Sequence, residues 1–211
     1  DYYEPSTKLE NDEKKLLKNW EIEKNKKIIL LPGRLTPWKG QELFIEAINL
    51  VNIELGYEAF YAVILGSDQG RDLYKKKLTR LSEQYRMTKQ LRFIDHCNDM
   101  ALAYKVSDII ISSSIEPEAF GRVAVEAQSM EKPIIASNIG GSNETIIDNK
   151  TGYLFDSGNA KSLSEKILKV LNINDTLLKS IGIEGRKNIV NKFNVEKMCF
   201  STYSEYKRLF N

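Results

Sequence analysis

The chain has 211 residues, 42% hydrophobic and 28% charged, with a formal net charge of +2. That bulk supports a real core, and the length favours one large domain over two small ones. The near-neutral balance leaves no electrostatic footprint for nucleic acid or an anionic membrane, and no apolar run reaches the length of a membrane span.

Residues 1–26 are charged and mixed, and "ENDEKKLLKNWEIEKN" reads as a short solvated helix or linker without a site. Order begins at "KIILLPG", an apolar run that ends in Pro and Gly as a buried strand ends in a turn. "QELFIEAINLVNIEL" follows, with Leu43, Phe44, Ala47, Ile48 and Val51 at helical spacing. "YAVILG" is a second buried strand and "RDLYKKKLTRLSEQY" an amphipathic helix. "QLRFIDHC" gives a third strand, "MALAYKVS" a short helix and "DIIISSS" a fourth strand. "AFGRVAVEAQSM" is the next helix and "KPIIASNIG" the fifth strand. "SNETIID" is a short helix that Ser142 would cap, and "GYLFDSG" is the sixth strand. Asn159 would cap the helix "AKSLSEKILKVLN". Residues 175–211 read as two further helices with a break near Phe193 and Asn194.

Strands that alternate with helices pair in parallel, because a parallel connection needs a crossover. Uniformly apolar strands fit a sheet covered on both faces. The expected fold is therefore α/β: a doubly wound, Rossmann-like parallel sheet over residues 27–175. A linker and leading helix would precede it at 1–26, and helices at 176–211 would follow it. No internal repeat or low-complexity segment interrupts this pattern. Cys97 and Cys199 are far apart and make no metal pattern, so both read as free thiols in a reducing compartment. The chain starts at Asp1 without a Met or signal peptide, which suggests a piece of something longer.

In such sheets ligands bind beyond the carboxyl ends of the strands, where the strand order reverses. The loops there read "PGRLTPWKG", "GSDQG", "DHCND", "SSSIEPEAFG" and "SNIGGSNE". Basic groups, Gly turns and helix N-termini suit a phosphate. Carboxylates beside them accept from hydroxyls. A nucleotide sugar offers both chemistries. Each element also has a plain reading. Arg34 and Lys39 could be surface charges after a strand, and "GSDQG" a turn and nothing more. Gly140 and Gly141 could mark a tight connection or a close approach to a ligand. The first loop lacks the Gly-x-x-x-x-Gly-Lys-Ser/Thr pattern, and no Gly-x-Gly-x-x-Gly follows the first strand. Seven residues separate Glu118 from Glu126, but seven also separate Glu13 from Glu21 and Glu46 from Glu54. The spacing alone says nothing; its frame of strand, Pro, Phe120, Gly121 and small-residue helix is distinctive.

"EPEAFGRVAVEAQSMEKPIIASNIGGSNETI" resembles the Glu-x7-Glu signature, strand and Gly-Gly-x-x-Glu loop of the retaining glycosyltransferases of family 4. "GRLTPWKGQELFIEAI" is similar to that family's Gly-Arg…Lys-Gly phosphate loop, and "DNKTGYLFDSGNAKSL" to its next segment. The likeness covers residues 27–175, with four motifs in order. It implies a GT-B fold of two Rossmann-like domains, of which this chain would hold the C-terminal, donor-binding one. By resemblance, Arg34 and Lys39, in the loop opened by Gly33, would contact the donor diphosphate. Glu118 would accept from the transferred sugar. Amides near Gly121, Arg122 and Val123 would hold the diphosphate, with Phe120 beside them, and Glu126 would take the ribose hydroxyls. His96 would border the base and Gly66 would leave it room. Gly140, Gly141 and Glu144 would line the donor cleft. "DHC", where many relatives carry Gly, departs from the pattern and leaves the base open.

The resemblance implies retaining transfer of a hexosyl group from a UDP- or GDP-sugar to a glycan or lipid-linked acceptor. Charge growing on the leaving phosphate would be met by two cations and a helix N-terminus, so no metal or other cofactor is expected. The acceptor, and the catalytic-site His usual in the family, would belong to an N-terminal domain absent here. Some exposed apolar surface is expected where that domain would sit. The expected setting is assembly of lipopolysaccharide or other cell-surface glycans. The location would be cytoplasmic, with peripheral membrane attachment through the absent domain. Alternatives are a nucleotide-sugar epimerase or hydrolase of the same fold, a non-catalytic nucleotide-sugar-binding module, and a plain structural domain.

Overall fold

A computed structural model describes residues 3–5, 10–23, 25–57 and 59–210. Six strands form one parallel sheet: β1 (Lys27–Pro32), β2 (Phe60–Leu65), β3 (Leu91–Ile94), β4 (Ile109–Ser112), β5 (Ile134–Ser137) and β6 (Tyr153–Phe155). Their spatial order is β3-β2-β1-β4-β5-β6. The order reverses between β1 and β4, where Ile29 pairs with Ile109 and Leu30 with Ile110. The helices are α1 (Glu10–Asn19), α2 (Gln41–Leu55), α3 (Asp72–Gln84), α4 (Met100–Val106), α5 (Arg122–Ser129), α6 (Ser142–Thr145), α7 (Ala160–Leu171), α8 (Asp175–Lys192) and α9 (Val195–Phe210).

Alternate strand residues feed two separate cores. Ile29, Leu31, Ala62, Ile64 and Ile111 bury one face of the sheet under α2, α7 and the start of α8. Ile28, Leu30, Val63, Leu65 and Ile110 bury the other against α4 and α5. Both faces are covered, and that is why the strands read as continuous apolar runs. Asn159 caps α7 as expected, its side chain accepting from the Ser162 amide at 3.0 Å. Ser142 does not cap α6. It is the helix's first residue, behind a Gly141 cap, and no side-chain cap bond forms. The last two helices break between Lys192 and Val195, as the sequence suggests.

The leading segment is less solvated than its composition implies. α1 itself buries no side chain, but Trp20 and Ile22 just beyond it are 3% and 7% exposed and join the second core. Their burial closes the sheet face that α4 and α5 leave open. α8 is also structural: Ile181, Gly182, Gly185 and Ile189 are buried, and the helix lies on α5. α9 differs, with no buried residue and with Met198, Phe200, Tyr203, Leu209 and Phe210 exposed. Trp20→Ala should lower unfolding free energy by about 3–5 kcal/mol, the range for a buried aromatic truncation. Urea denaturation checks this; a linker tryptophan would give almost no change.

Candidate functional site

The carboxyl ends of β1, β2, β3 and β4 open into one cavity of about 530 Å³. Gly33, Arg34, Trp38 and Lys39 enter it from the loop after β1, and Gly66 and Ser67 from the loop after β2. Asp95, His96 and Cys97 follow β3, Met100 and Tyr104 sit on α4, and Tyr3 closes one side. Glu118 comes from the loop after β4, and Arg122, Val123 and Glu126 from α5.

Each acid in this cavity has an internal donor. Lys39 Nζ lies 2.7 Å from Glu118 Oε1, and the two side chains are only 15% and 17% exposed. Ser114 Oγ donates to the same carboxylate oxygen. Lys39 also sits 4.5 Å from the centre of the Trp38 ring. The Tyr104 hydroxyl donates to Glu126 Oε2 at 2.7 Å, and the Tyr3 ring meets Tyr104 edge-on at 5.9 Å. Asp95 pairs with Lys75 at the rim. Arg34 and Arg122 are exposed and make no ion pair among the described residues. The first intrahelical bond of α5 runs from the Ala124 amide to the Gly121 carbonyl at 3.0 Å. The amides of Arg122 and Val123 precede it and are left for another acceptor. His96 is exposed, its Nε2 2.6 Å from Asn98 Oδ1. Burial pushes the Cys97 thiol up, against a hydrogen bond to the Asp99 carbonyl.

Of the residues singled out in the sequence, Gly33, Arg34, Lys39, Gly66, His96, Glu118, Arg122, Val123 and Glu126 share this cavity. Five do not line it. Phe120 turns instead to Phe193, ring centres 5.6 Å apart, beside the α8–α9 junction. Gly121 is a buried left-handed cap, φ 74°, under the start of α5. Gly140 and Gly141 brace the Glu118 loop from behind, and the Gly141 amide donates to the Glu118 carbonyl at 2.8 Å. A Cβ on Gly141 would stand 2.5 Å from the Phe120 carbonyl carbon, so a side chain there would push the loop away. Glu144 is exposed on α6, away from the cavity lining. Gly66 does line the cavity, but its bare Cα is required by the Gly33 carbonyl, 2.1 Å from where a Cβ would be.

Sequence reasoning missed Tyr104, Trp38, Tyr3 and Ser114. A buried phenol needs a partner, so the tyrosine in "MALAYKVS" was a detectable signal for the first of these. The other three depend on how the loops and the chain start fold together.

The fold and its cavity define an open, doubly wound α/β domain whose strand ends gather cations, the first helix amides of α5 and carboxylate acceptors in one space. The profile of the family described as "Glycosyl transferases group 1" matches residues 12–188. The chain belongs to this family. It is similar to a glycosyltransferase of Rickettsia africae, 32% identical with a TM-score of 0.93, over 100% of this chain and 55% of that one. The capsular polysaccharide biosynthesis glycosyltransferase CapM of Staphylococcus aureus is 28% identical, over 76% of this chain and 40% of its own length. Anabaena HepE, solved with UDP and glucose, shares the fold at 22% identity and a TM-score of 0.86, over 98% of this chain and 54% of its own. The chain thus spans about half the length of the relatives it matches. No helix among the described residues is long and apolar enough to cross a membrane.

The Tyr104 phenol gives a pH prediction. Burial, then the charge of Glu126 and the hydrogen bond to it, hold it well above its ordinary value of 10.0. Above about pH 10 the unfolded chain releases this proton while the folded one keeps it. The unfolded state then binds fewer protons, so stability falls as pH rises, by at most about 1.4 kcal/mol per pH unit from this group. Urea unfolding between pH 9 and 11 should show stability falling, and Tyr104→Phe should remove this group's share of the slope while the raised phenols of Tyr74 and Tyr153 keep theirs.

Proposed function

We propose that this chain is the donor-binding half of a retaining glycosyltransferase. It binds a UDP- or GDP-linked sugar, and a hexosyl group passes from it to a glycan or lipid-linked acceptor held by an N-terminal half. The observation that carries this reading is the convergence of Arg34, Lys39, Glu118, Arg122 and Glu126 on one cavity at the strand-order reversal.

The chemistry follows from the placement. Transfer breaks the bond between the anomeric carbon and the diphosphate. Negative charge grows on the departing phosphate, and Arg34, Lys39 and the first amides of α5 offset it. Removing one such preorganised donor typically costs about 10²–10³ in rate, or roughly 3–4 kcal/mol. Glu118 accepts from hydroxyls of the transferred sugar. Glu126, oriented by Tyr104, accepts from the ribose. His96 borders the base at the exposed lip. Fixed cations do the neutralising work of a metal, so the donor side is proposed to need none.

Two further features support the reading. HepE, with this fold, was solved with UDP and glucose. α9 exposes a run of apolar side chains, a fit for contact with the absent half. CapM's name supports surface-glycan assembly as the setting. We place that work in the cytoplasm, with peripheral membrane attachment through the other half.

A melting-temperature panel of UDP-, GDP- and ADP-sugars tests the proposal. A cognate donor at 100 times its dissociation constant should add about 2.7 kcal/mol of stability. Lys39→Ala should cut the shift sharply without removing it, because Arg34 and Arg122 still reach the phosphates. Glu126→Ala should weaken binding more than it slows transfer, because ribose contacts act in ground and transition state alike. The chain alone should transfer little or no sugar. A flat panel across all three bases would sink the reading.

A further inference from the structure

We propose that Glu118 discriminates between the sugar-bearing donor and the bare nucleoside diphosphate, by capturing Lys39 whenever no sugar is present. The proposal rests on the donor-site reading above and adds to it a means of releasing product.

Lys39 is committed to a partner within the site. Its ammonium sits 2.7 Å from Glu118 Oε1, largely shielded from water, with the Trp38 ring on another side. A diphosphate arriving without a sugar has two options. It can draw Lys39 away, which leaves a mostly buried carboxylate with, among the described residues, the Ser114 hydroxyl as its remaining side-chain donor. An uncompensated buried charge is strongly unfavourable. Or it can share the ammonium, which holds the Glu118 charge close to its own, a repulsion that low dielectric strengthens. Either way the bare diphosphate binds against a penalty.

An attached sugar removes the penalty. Its hydroxyls donate into Glu118 as Lys39 turns to the phosphate, so both partners of the old pair end with new ones. Once the sugar has left, nothing on the ligand satisfies Glu118. The carboxylate takes Lys39 back, and the grip on the product diphosphate loosens. Arg34 and Arg122 are built differently. Exposed, and without an ion pair among the described residues, they hold phosphate in donor and product alike.

The test is calorimetric titration of the full chain with UDP, GDP and ADP, and with UDP-, GDP- and ADP-glucose. Glu118→Gln keeps the shape and loses the charge. It should bind the preferred nucleoside diphosphate about tenfold more tightly than the parent, the scale of one charge-assisted contact, while the sugar nucleotide gains nothing. Ser114→Ala should act in the opposite sense. It strips Glu118 of its remaining donor, raises its dependence on Lys39 and weakens the bare diphosphate relative to the donor. In a Lys39→Ala background the gain from Glu118→Gln should vanish. An unchanged ratio of the two affinities in Glu118→Gln, a shift of the same sign in Ser114→Ala, or a gain that survives Lys39→Ala each overturns the proposal and leaves the donor site standing. A parent chain that binds none of the six ligands overturns both.

Discussion

β1 and β4 lie side by side although Ile29 and its partner Ile109 are eighty positions apart in the chain. That adjacency governs the rest. The chain winds one way from β1 through β2 and β3, then returns past β1 to lay down β4, β5 and β6. The loops that follow β1 and β4 therefore leave neighbouring strands toward opposite sides, and a space opens between them. The loop after β1 carries Lys39 and the loop after β4 carries Glu118, and they meet across that space. The loops also bond directly, with the Ser113 hydroxyl donating to the Gly40 carbonyl at 3.0 Å and the Ile115 amide to the Trp38 carbonyl at 2.8 Å. The backbone frame thus sets where the cation and the acid stand, each within reach of the other.

The same economy of donors recurs at the second acid. Glu126 is fixed by a phenol from α4, and Glu118 by an ammonium and a hydroxyl. Partly buried carboxylates need such partners, and internal ones keep the oxygens aimed before any ligand arrives. Preorganisation of this kind limits the entropy lost on binding.

What the sequence revealed follows from how local each signal is. Strands were legible because both sheet faces are covered, so Ile28 and Ile29 are equally buried in different cores. The Asn159 cap was legible because its bond spans three residues. The Glu118–Glu126 frame was legible because a strand, a turn and a helix carry it in sequence. Signals that depend on distant parts of the chain were not. Trp20 sits in a charged stretch, and only the exposed edge of a core built elsewhere buries it. Ser142 has the composition of a cap but stands one position inside the helix. Gly140 and Gly141 fitted either a tight connection or a close approach to a ligand, and the contact they make is with the backbone of the Glu118 loop. Tyr104 and Ser114 act through carboxylates that lie on other segments.

Arg186 on α8 reaches Glu4 Oε2 at 2.5 Å, the Tyr3 carbonyl at 3.2 Å and the Ser129 carbonyl at the end of α5. A single guanidinium thus rivets the incoming chain to two helices of the domain. Residue 3 in turn leans its ring on Tyr104, whose hydroxyl holds Glu126. Displacing residues 3 and 4 would thus disturb both the seat of α8 on α5 and the phenol that aims the second acid.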